Sequence, residues 1–210
     1  MTDLQPVVYV VDDEPLVRRF LTTLLAARAY RVIGLASAEE LLEEGALEGP
    51  GCLILDVFLP GLSGLDVQQT LIDEFHHLPI IFISGQGSIP MSVQAMKAGA
   101  VDFLTKPLAG EELIAAVERA IDLSTRIRAE DAEQRELRER LGRLSRRETE
   151  VLRQVAAGKL NKQIAAELNI VEKTVKVHRA RAMQKLGLRS VADLVRLTEK
   201  ADLFPPPPSS

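Results

Sequence analysis

The chain has 210 residues, 46% of them hydrophobic, with a single Cys, no Trp and a net charge of −4. That length suits two domains, the apolar content excludes a disordered protein, and a lone Cys excludes an internal disulfide or a Cys-rich zinc cluster. The charge is split: residues 1–123 carry 7 Lys+Arg against 18 Asp+Glu, residues 124–142 balance at 5 of each, and residues 143–210 carry 14 against 7, which points to separate partners for an acidic front and a basic back.

The N-terminus, Met1-Thr2-Asp3-Leu4-Gln5-Pro6, has no basic stretch followed by an apolar one, and no run reaches the roughly 18–20 residues of a membrane span. A soluble, cytoplasmic protein without a membrane partner is expected. Val7–Val11 is a β-branched apolar run ending at Asp12-Asp13-Glu14 and reads as a buried strand. Pro15 suits the first turn of a helix, and Leu16, Val17, Phe20, Leu21, Leu24 and Leu25 recur at helical spacing to about Arg28. Arg31–Leu35 reads as a second strand. Ser37 with Glu40 has the spacing of a capping box, ahead of a short helix to about Glu44.

The third strand, Cys52–Val57, carries Asp56 at its end, and is followed by the turn Leu59–Gly64 and a helix over 65–75. Leu78–Ile83 is a fourth strand ending at Ser84-Gly85, then comes a helix over 88–98 stopped by Gly99. Val101–Leu104 is a fifth strand ending at Thr105-Lys106-Pro107, and Gly110-Glu111-Glu112 opens another helix. Five strand–helix alternations predict a parallel sheet with helices on both faces and right-handed crossovers.

Asp56 alone fits a strand-end turn residue as well as it fits chemistry. Its company decides between them. In a parallel sheet the strand ends share one edge, where ligands bind, and that edge receives Asp12, Asp13, Asp56, Ser84 and Lys106. Clustered carboxylates repel unless a cation sits among them. Three suit a six-coordinate hard cation, Mg²⁺ with several waters. Lys106 adds a compact positive charge for an anionic oxygen. The set suits phosphoryl transfer onto Asp56.

These motifs, with Leu55-Asp56-Val57-Phe58-Leu59-Pro60-Gly61, Ser63-Gly64 and Phe103-Leu104-Thr105-Lys106-Pro107, make residues 5–123 resemble the receiver domain of two-component response regulators. The resemblance implies a flavodoxin-like, five-stranded α/β fold of strand order 2-1-3-4-5. It implies phosphorylation of Asp56 by a cognate sensor histidine kinase. It places Mg²⁺ on Asp13, Asp56 and the Phe58 backbone carbonyl, with Asp12 acting through water. Lys106 and the Ser84 hydroxyl would hold the phosphoryl group, and Phe103 matches the family's switch aromatic, with packing in the core as its alternative.

From Glu111 to Leu141 there is neither Pro nor Gly, which predicts one long helix running past the receiver. Leu113, Val117, Ala120, Ser124 and Ile127 form a heptad-like seam that Asp131 and Gln134 interrupt before Leu137, Leu141 and Leu144 resume it in another phase. A solvated linker and a short coiled coil or lever both fit.

Ser145 with Glu148 is a second capping box, Gly158 closes that helix, Asn161 is the expected N-cap of a short helix, and Asn169-Ile170 forms a tight turn. A third helix over 171–186 is expected to bury Val171, Val175, Ala182 and Leu186, and Ser190 to cap a fourth ending near Ala201. Four short helices with an abrupt turn read as a helix-turn-helix domain. The motifs Leu144-Ser145-x-Arg147-Glu148-x-Glu150-Val151-Leu152, Ala157-Gly158, Asn161-Lys162-x-Ile164-Ala165 and Lys173-Thr174-Val175-Lys176-Val177-His178 resemble the LuxR-type helix-turn-helix. Together the two halves resemble the NarL/FixJ subfamily. That resemblance aims Lys176 and Val177 at base edges in a DNA major groove, and Lys162, Lys173, Thr174, Arg179 and Lys185 at phosphates. Ala180 departs from the family, being too short to hydrogen-bond a base though able to meet a thymine methyl. His178 fits a phosphate or a packing role, while His76 and His77 read as surface residues with no metal spacing.

The expected domains are a receiver over 1–123, a helical linker over 124–142, the all-α DNA-binding domain over 143–203, and a disordered Pro-rich tail over 204–210. The expected function is a phosphorylation-controlled transcription regulator, most simply an activator, that pairs as a homodimer on double-stranded DNA half-sites and works with RNA polymerase. Two alternatives share parts of the pattern. One is a Mg²⁺-dependent phosphohydrolase working through an aspartyl phosphate; Phe58, two residues after Asp56, cannot transfer the proton such turnover needs. The other is a receiver acting through protein contacts alone, which the basic charge of residues 143–210 argues against.

Overall fold

The computed structural model describes residues 5–44, 49–60, 68, 70, 71, 75, 77–86 and 88–201. Most of the helix expected over 65–75 and of the turn before it, with His76 and the Pro-rich tail, lie outside the described residues. The chain divides after Asp131 into two compact units.

The first unit holds β1 (Val7–Val11), α1 (Pro15–Ala26), β2 (Arg31–Leu35), α2 (Ala38–Glu44), β3 (Gly51–Asp56), β4 (Ile80–Ser84), α3 (Ile89–Lys97) and β5 (Asp102–Thr105), and the start of α4 (Gly110–Gly142). The five strands form one parallel sheet of order β2-β1-β3-β4-β5, as expected. β1, β3 and β4 are buried throughout, so they need apolar residues on both faces rather than an alternation. Alternate residues divide between two cores. Val7, Tyr9, Val11, Leu53, Leu55 and Phe82 pack on one face with Leu41 of α2 and Ala95 of α3. Val8, Val10, Cys52, Ile54, Ile81 and Ile83 pack on the other with Leu21 and Leu25 of α1 and Leu113, Val117 and Ala120 of α4.

The seam on α4 is therefore explained in its first half by the receiver core. Leu113, Val117, Ala120 and Ser124 are all buried. Ser124 holds its place in that seam by hydrogen bonds: its hydroxyl accepts from Gly51 N–H at 3.2 Å and donates to the His77 carbonyl at 2.7 Å. Gly51 opens β3 because nothing larger fits, since an added Cβ would lie 2.3 Å from the Val7 carbonyl oxygen. α1 stops at Ala26, two residues short of the expected Arg28, and the chain turns through Ala29 at φ 62°. The Ser37 box is partial: Ser37 Oγ accepts from Glu40 N–H, but the Glu40 carboxylate reaches Ala36 N–H.

The second unit holds the end of α4 and then α5 (Arg146–Ala156), α6 (Asn161–Leu168), α7 (Glu172–Leu186) and α8 (Val191–Ala201). Val151, Leu152, Val155, Ile164, Val175, Ala182, Leu186 and Leu194 form its core, with Leu141 and Leu144 packed against it. The Ser145–Glu148 box is complete, and Ser190 caps α8, its hydroxyl accepting from Asp193 N–H at 3.1 Å. Asn169 and Gly187, both at positive φ, terminate α6 and α7. Two local expectations change. Asn161 is the first residue of α6 rather than its cap: Leu160 takes that place, with its N–H donating to Gln163 Oε1 at 2.8 Å. Val171 is the N-cap of α7 and is 67% exposed, not buried, because a residue one step before the helix points off its apolar stripe.

Candidate phosphoryl-acceptor site and nucleic-acid interface

The sheet register places the ends of β1, β3, β4 and β5 side by side. Val11 pairs with Leu55, Asp56 with Ile83, and Ser84 with Thr105. The residues one step past β1 and β5, Asp12 and Lys106, then face Asp56 across a short gap. Lys106 Nζ lies 2.6 Å from Asp56 Oδ2 and 2.8 Å from Asp12 Oδ2. Asp12 and Ser84 are fully buried and Asp56 is 4% exposed. Asp13 is exposed at the rim, yet one oxygen from each of Asp12, Asp13 and Asp56 falls within 4.8 Å of the others.

Backbone and side-chain donors hold these carboxylates. Asp12 Oδ1 accepts from Glu14 N–H at 2.8 Å, and Asp56 Oδ1 accepts from Phe58 N–H at 2.9 Å. Arg18 Nη1 donates to the Asp12 carbonyl at 2.6 Å. Burial pushes the Asp12 carboxyl above the ordinary Asp range, against the Lys106 hydrogen bond and the Glu14 N–H, which favour its charge. Partial burial works against the Lys106 charge, but hydrogen bonds to Asp12 and Asp56 outweigh it and hold the ammonium above the ordinary Lys range. Burial also raises the Cys52 thiol, so this sulfur is a core atom and not a nucleophile.

Three carboxylates, with Glu14 a fourth at the rim, face one ammonium, and a divalent cation offsets the excess of negative charge. Oxygen donors alone suit a hard ion such as Mg²⁺. The Ser84 hydroxyl accepts from Gln86 N–H at 3.2 Å at the mouth of the same edge. Phe103 is half-buried and its ring centroid lies 6.4 Å from that of Phe82, tilted by 37°. The sequence reading missed Glu14, whose Oε1 stands 3.4 Å from Lys106 Nζ, and Arg18, which braces the Asp12 backbone. A helix-face charge gives no sequence signal for either role.

In the second unit, Lys162, Lys173, Lys176, Val177 and Ala180 are exposed, while Thr174, His178 and Arg179 are half-buried. Lys176 pairs with Glu172 at 3.2 Å and Arg179 Nη1 donates to Asn161 Oδ1 at 3.4 Å. Lys185 stands apart from this group. Its ammonium donates to Glu148 Oε2 at 2.6 Å and to the Arg143 carbonyl at 3.0 Å. The Lys185 and Ser145 hydrogen bonds hold the Glu148 carboxyl down at about 2. That ties Lys185 to the α5 cap while its side chain stays 38% exposed. Glu148 thus serves the cap, as its spacing from Ser145 predicts.

Residues 8–118 match the family model described as the response regulator receiver domain, and residues 142–198 match that of bacterial regulatory proteins of the luxR family. The chain is 46% identical over 200 residues to the response regulator protein TodT of Pseudomonas putida, covering 95% of this chain and 88% of that one. It is 41% identical to the transcriptional regulatory protein FixJ of Rhizobium meliloti, covering 94% and 96%. Among solved structures it is similar to the response regulator StyR, with TM-score 0.85 and 44% identity over 93% of this chain and 99% of that one. No described helix is long and apolar enough to cross a membrane. A receiver match over more than half of the chain and relatives of this identity along nearly all of it show that the chain belongs to the two-component response regulators, as a transcriptional regulator joining a receiver to a LuxR-type DNA-binding domain.

Proposed function

We infer that Asp56 is the phosphoryl acceptor and that its modification by a cognate sensor histidine kinase controls how α5–α8 engage DNA. The observation that carries this is the buried Asp56 carboxylate with Lys106 Nζ at 2.6 Å. An Asp56 oxygen attacks phosphorus, and the bond to the donor's imidazole nitrogen breaks. Asp13 and Asp56, with the Phe58 carbonyl, would hold Mg²⁺ directly and Asp12 through water. When bound, that ion shields the charge of the incoming phosphoryl oxygens. Lys106 stays protonated throughout and exchanges a carboxylate partner for a phosphoryl oxygen. Ser84, buried at the end of β4, donates its hydroxyl to another while its oxygen can still accept from Gln86 N–H. Phe103, half-buried beside Phe82, follows it inward as the switch aromatic. The receiver catalyses only its own modification and its slow reversal.

Phosphorylation then promotes a homodimer, which sets two copies of α7 on paired half-sites of double-stranded DNA, where RNA polymerase can be recruited. Lys176, Val177 and Ala180 face base edges, and Lys162, Lys173, Thr174 and Arg179 face phosphates. The boundaries follow the sequence: receiver to about residue 123, linker to 142, DNA-binding domain to 203. The test is uptake of label from acetyl phosphate in Mg²⁺. Wild type is expected to take up about one phosphoryl group per chain and Asp56→Asn none; uptake by Asp56→Asn at the wild-type rate would remove Asp56 from the role.

A further inference from the structure

The recognition helix is not the whole of the basic surface in the second unit. A hollow of about 310 Å³ lies between α7 and the start of α8, lined by Lys176, Arg179 and Arg189 together with Asn161, Met183 and Leu188. Lys176 is already paired with Glu172 at 3.2 Å, but the two guanidiniums repel each other and gain little by gathering unless an anion enters the concavity. Arg189 is the least accounted for. It is exposed, and among the described residues no carboxylate pairs with its guanidinium. Its backbone N–H and that of Ser190 both donate to Asp193 Oδ2, at 3.3 and 2.9 Å. The start of α8 thus already carries its own carboxylate, and an anion in the hollow is left to the side chains. Arg179 is held toward the hollow by Asn161. Lys176 and Ala180, on the face of α7 assigned to DNA, also line it, so the hollow opens on that face.

We propose that this hollow seats a backbone phosphate of bound duplex DNA, gripped by Arg189 and Arg179 with Lys176 at its edge. The interface then extends past the recognition helix to the turn before the last helix. A guanidinium fork matches two phosphate oxygens, which makes Arg the fitting residue. The proposal rests on the DNA-binding reading above. Contacts of this kind position the protein and carry no sequence information.

The experiment measures binding of the full chain, activated with beryllofluoride and Mg²⁺, to a labelled random-sequence duplex over a range of KCl. Each phosphate contact contributes about 0.9 to the slope of log affinity against log salt. Arg189→Gln is expected to reduce that slope by about one and to weaken binding several-fold on every duplex, whereas Arg189→Lys keeps most of the slope. Arg196→Gln removes the same charge from the exposed side of α8 and is expected to change the slope clearly less. Equal slopes for Arg189→Gln and Arg196→Gln would overturn the proposal, because net charge alone would then explain the loss. Saturable binding of inorganic phosphate that Arg189→Gln abolishes, with the DNA slope unchanged, would overturn it in favour of a free-anion site. Failure of wild type to bind any duplex with salt dependence would instead overturn the DNA-binding reading itself.

Discussion

Replacing Lys106 by Met removes the only ammonium between two buried carboxylates while keeping the length of the side chain. Asp12 and Asp56 are 0% and 4% exposed, and each loses a charge-assisted hydrogen bond, of 2.8 and 2.6 Å. Breaking a buried pair by deleting one partner costs about 3–5 kcal/mol. The receiver can limit that cost by protonating one carboxyl. Starting from the ordinary Asp value of 3.8, protonation costs about 4 kcal/mol at pH 7 and about 1.6 kcal/mol at pH 5, at 1.36 kcal/mol per unit. The penalty is therefore capped near 4 kcal/mol at pH 7 and falls with pH. The sign follows from Asp12, whose raised value makes the folded state bind a proton more tightly than the unfolded chain. Stability gained that way is complete below 3.8 and is lost as pH rises through the raised value. Both tyrosines of the chain, Tyr9 and Tyr30, lie in the first unit and there is no Trp, so tyrosine fluorescence reports receiver unfolding alone. Urea titrations in chelator at pH 5 and pH 7 should show Lys106→Met losing 3–4 kcal/mol at pH 7 and about half of that or less at pH 5. Mg²⁺ should restore more stability to the variant than to wild type, since the ion replaces the missing charge. A loss of the same size at both pH values would mean that packing, not uncompensated charge, is what Lys106 supplies.

Gly51→Ala should destabilise the receiver by about 1–3 kcal/mol in the same titration, because the new methyl meets the Val7 carbonyl oxygen, a backbone atom that moves only if β1 and β3 separate. Glu148→Ala should cost the second unit about 1–2 kcal/mol by removing the carboxylate that accepts from Ser145 N–H and from Lys185, seen as faster hydrogen exchange in peptides of α5. Because the Glu148 carboxyl is held at about 2, its contribution is present above the ordinary 4.5 and disappears as pH falls from there toward 2. Wild type should lose protection across that window and Glu148→Ala should show less of the loss.

The fold was legible because several signals coincide. β1, β3 and β4 are short apolar runs with polar residues at one end, and only a doubly covered parallel sheet uses both features at once. The acidic cluster was legible for the same reason, since Asp12, Asp56 and Lys106 each sit at or just past a strand end. Val171 and Lys185 were less legible. Val171 fits the apolar period of α7, and only the cap geometry shows that it precedes the helix. Lys185 fits the basic face, and only the fold brings it to Glu148, 37 residues earlier in the chain. The steric limit at Gly51 could not be read at all, and Ser124 was legible as a seam position but not by its hydrogen bonds, because both depend on neighbours distant in sequence.

The long helix shows how one sequence pattern can have two causes. A heptad-like spacing over 113–127 fits a helix–helix seam, but the same 3.6-residue period is what any helix needs to lie on a sheet. Leu113, Val117 and Ala120 lie in the core beside Ile54 and Ile81, so that part of the pattern is accounted for within one chain. The pattern breaks at Asp131 and Gln134, and resumes in a new phase where Leu141 and Leu144 pack on the second core. A change of phase is what two different docking surfaces impose on one continuous helix. Between them the stretch is largely charged, with pairs such as Glu136–Arg140 at 2.6 Å supporting the helix on its own surface. Of the seam residues on α4, Ile127 and Leu137 belong to neither core, and two half-buried positions ten residues apart do not make the sustained seam that pairing with a second copy of the helix needs. The pairing of subunits proposed on phosphorylation is therefore better sought on the receiver than along the linker.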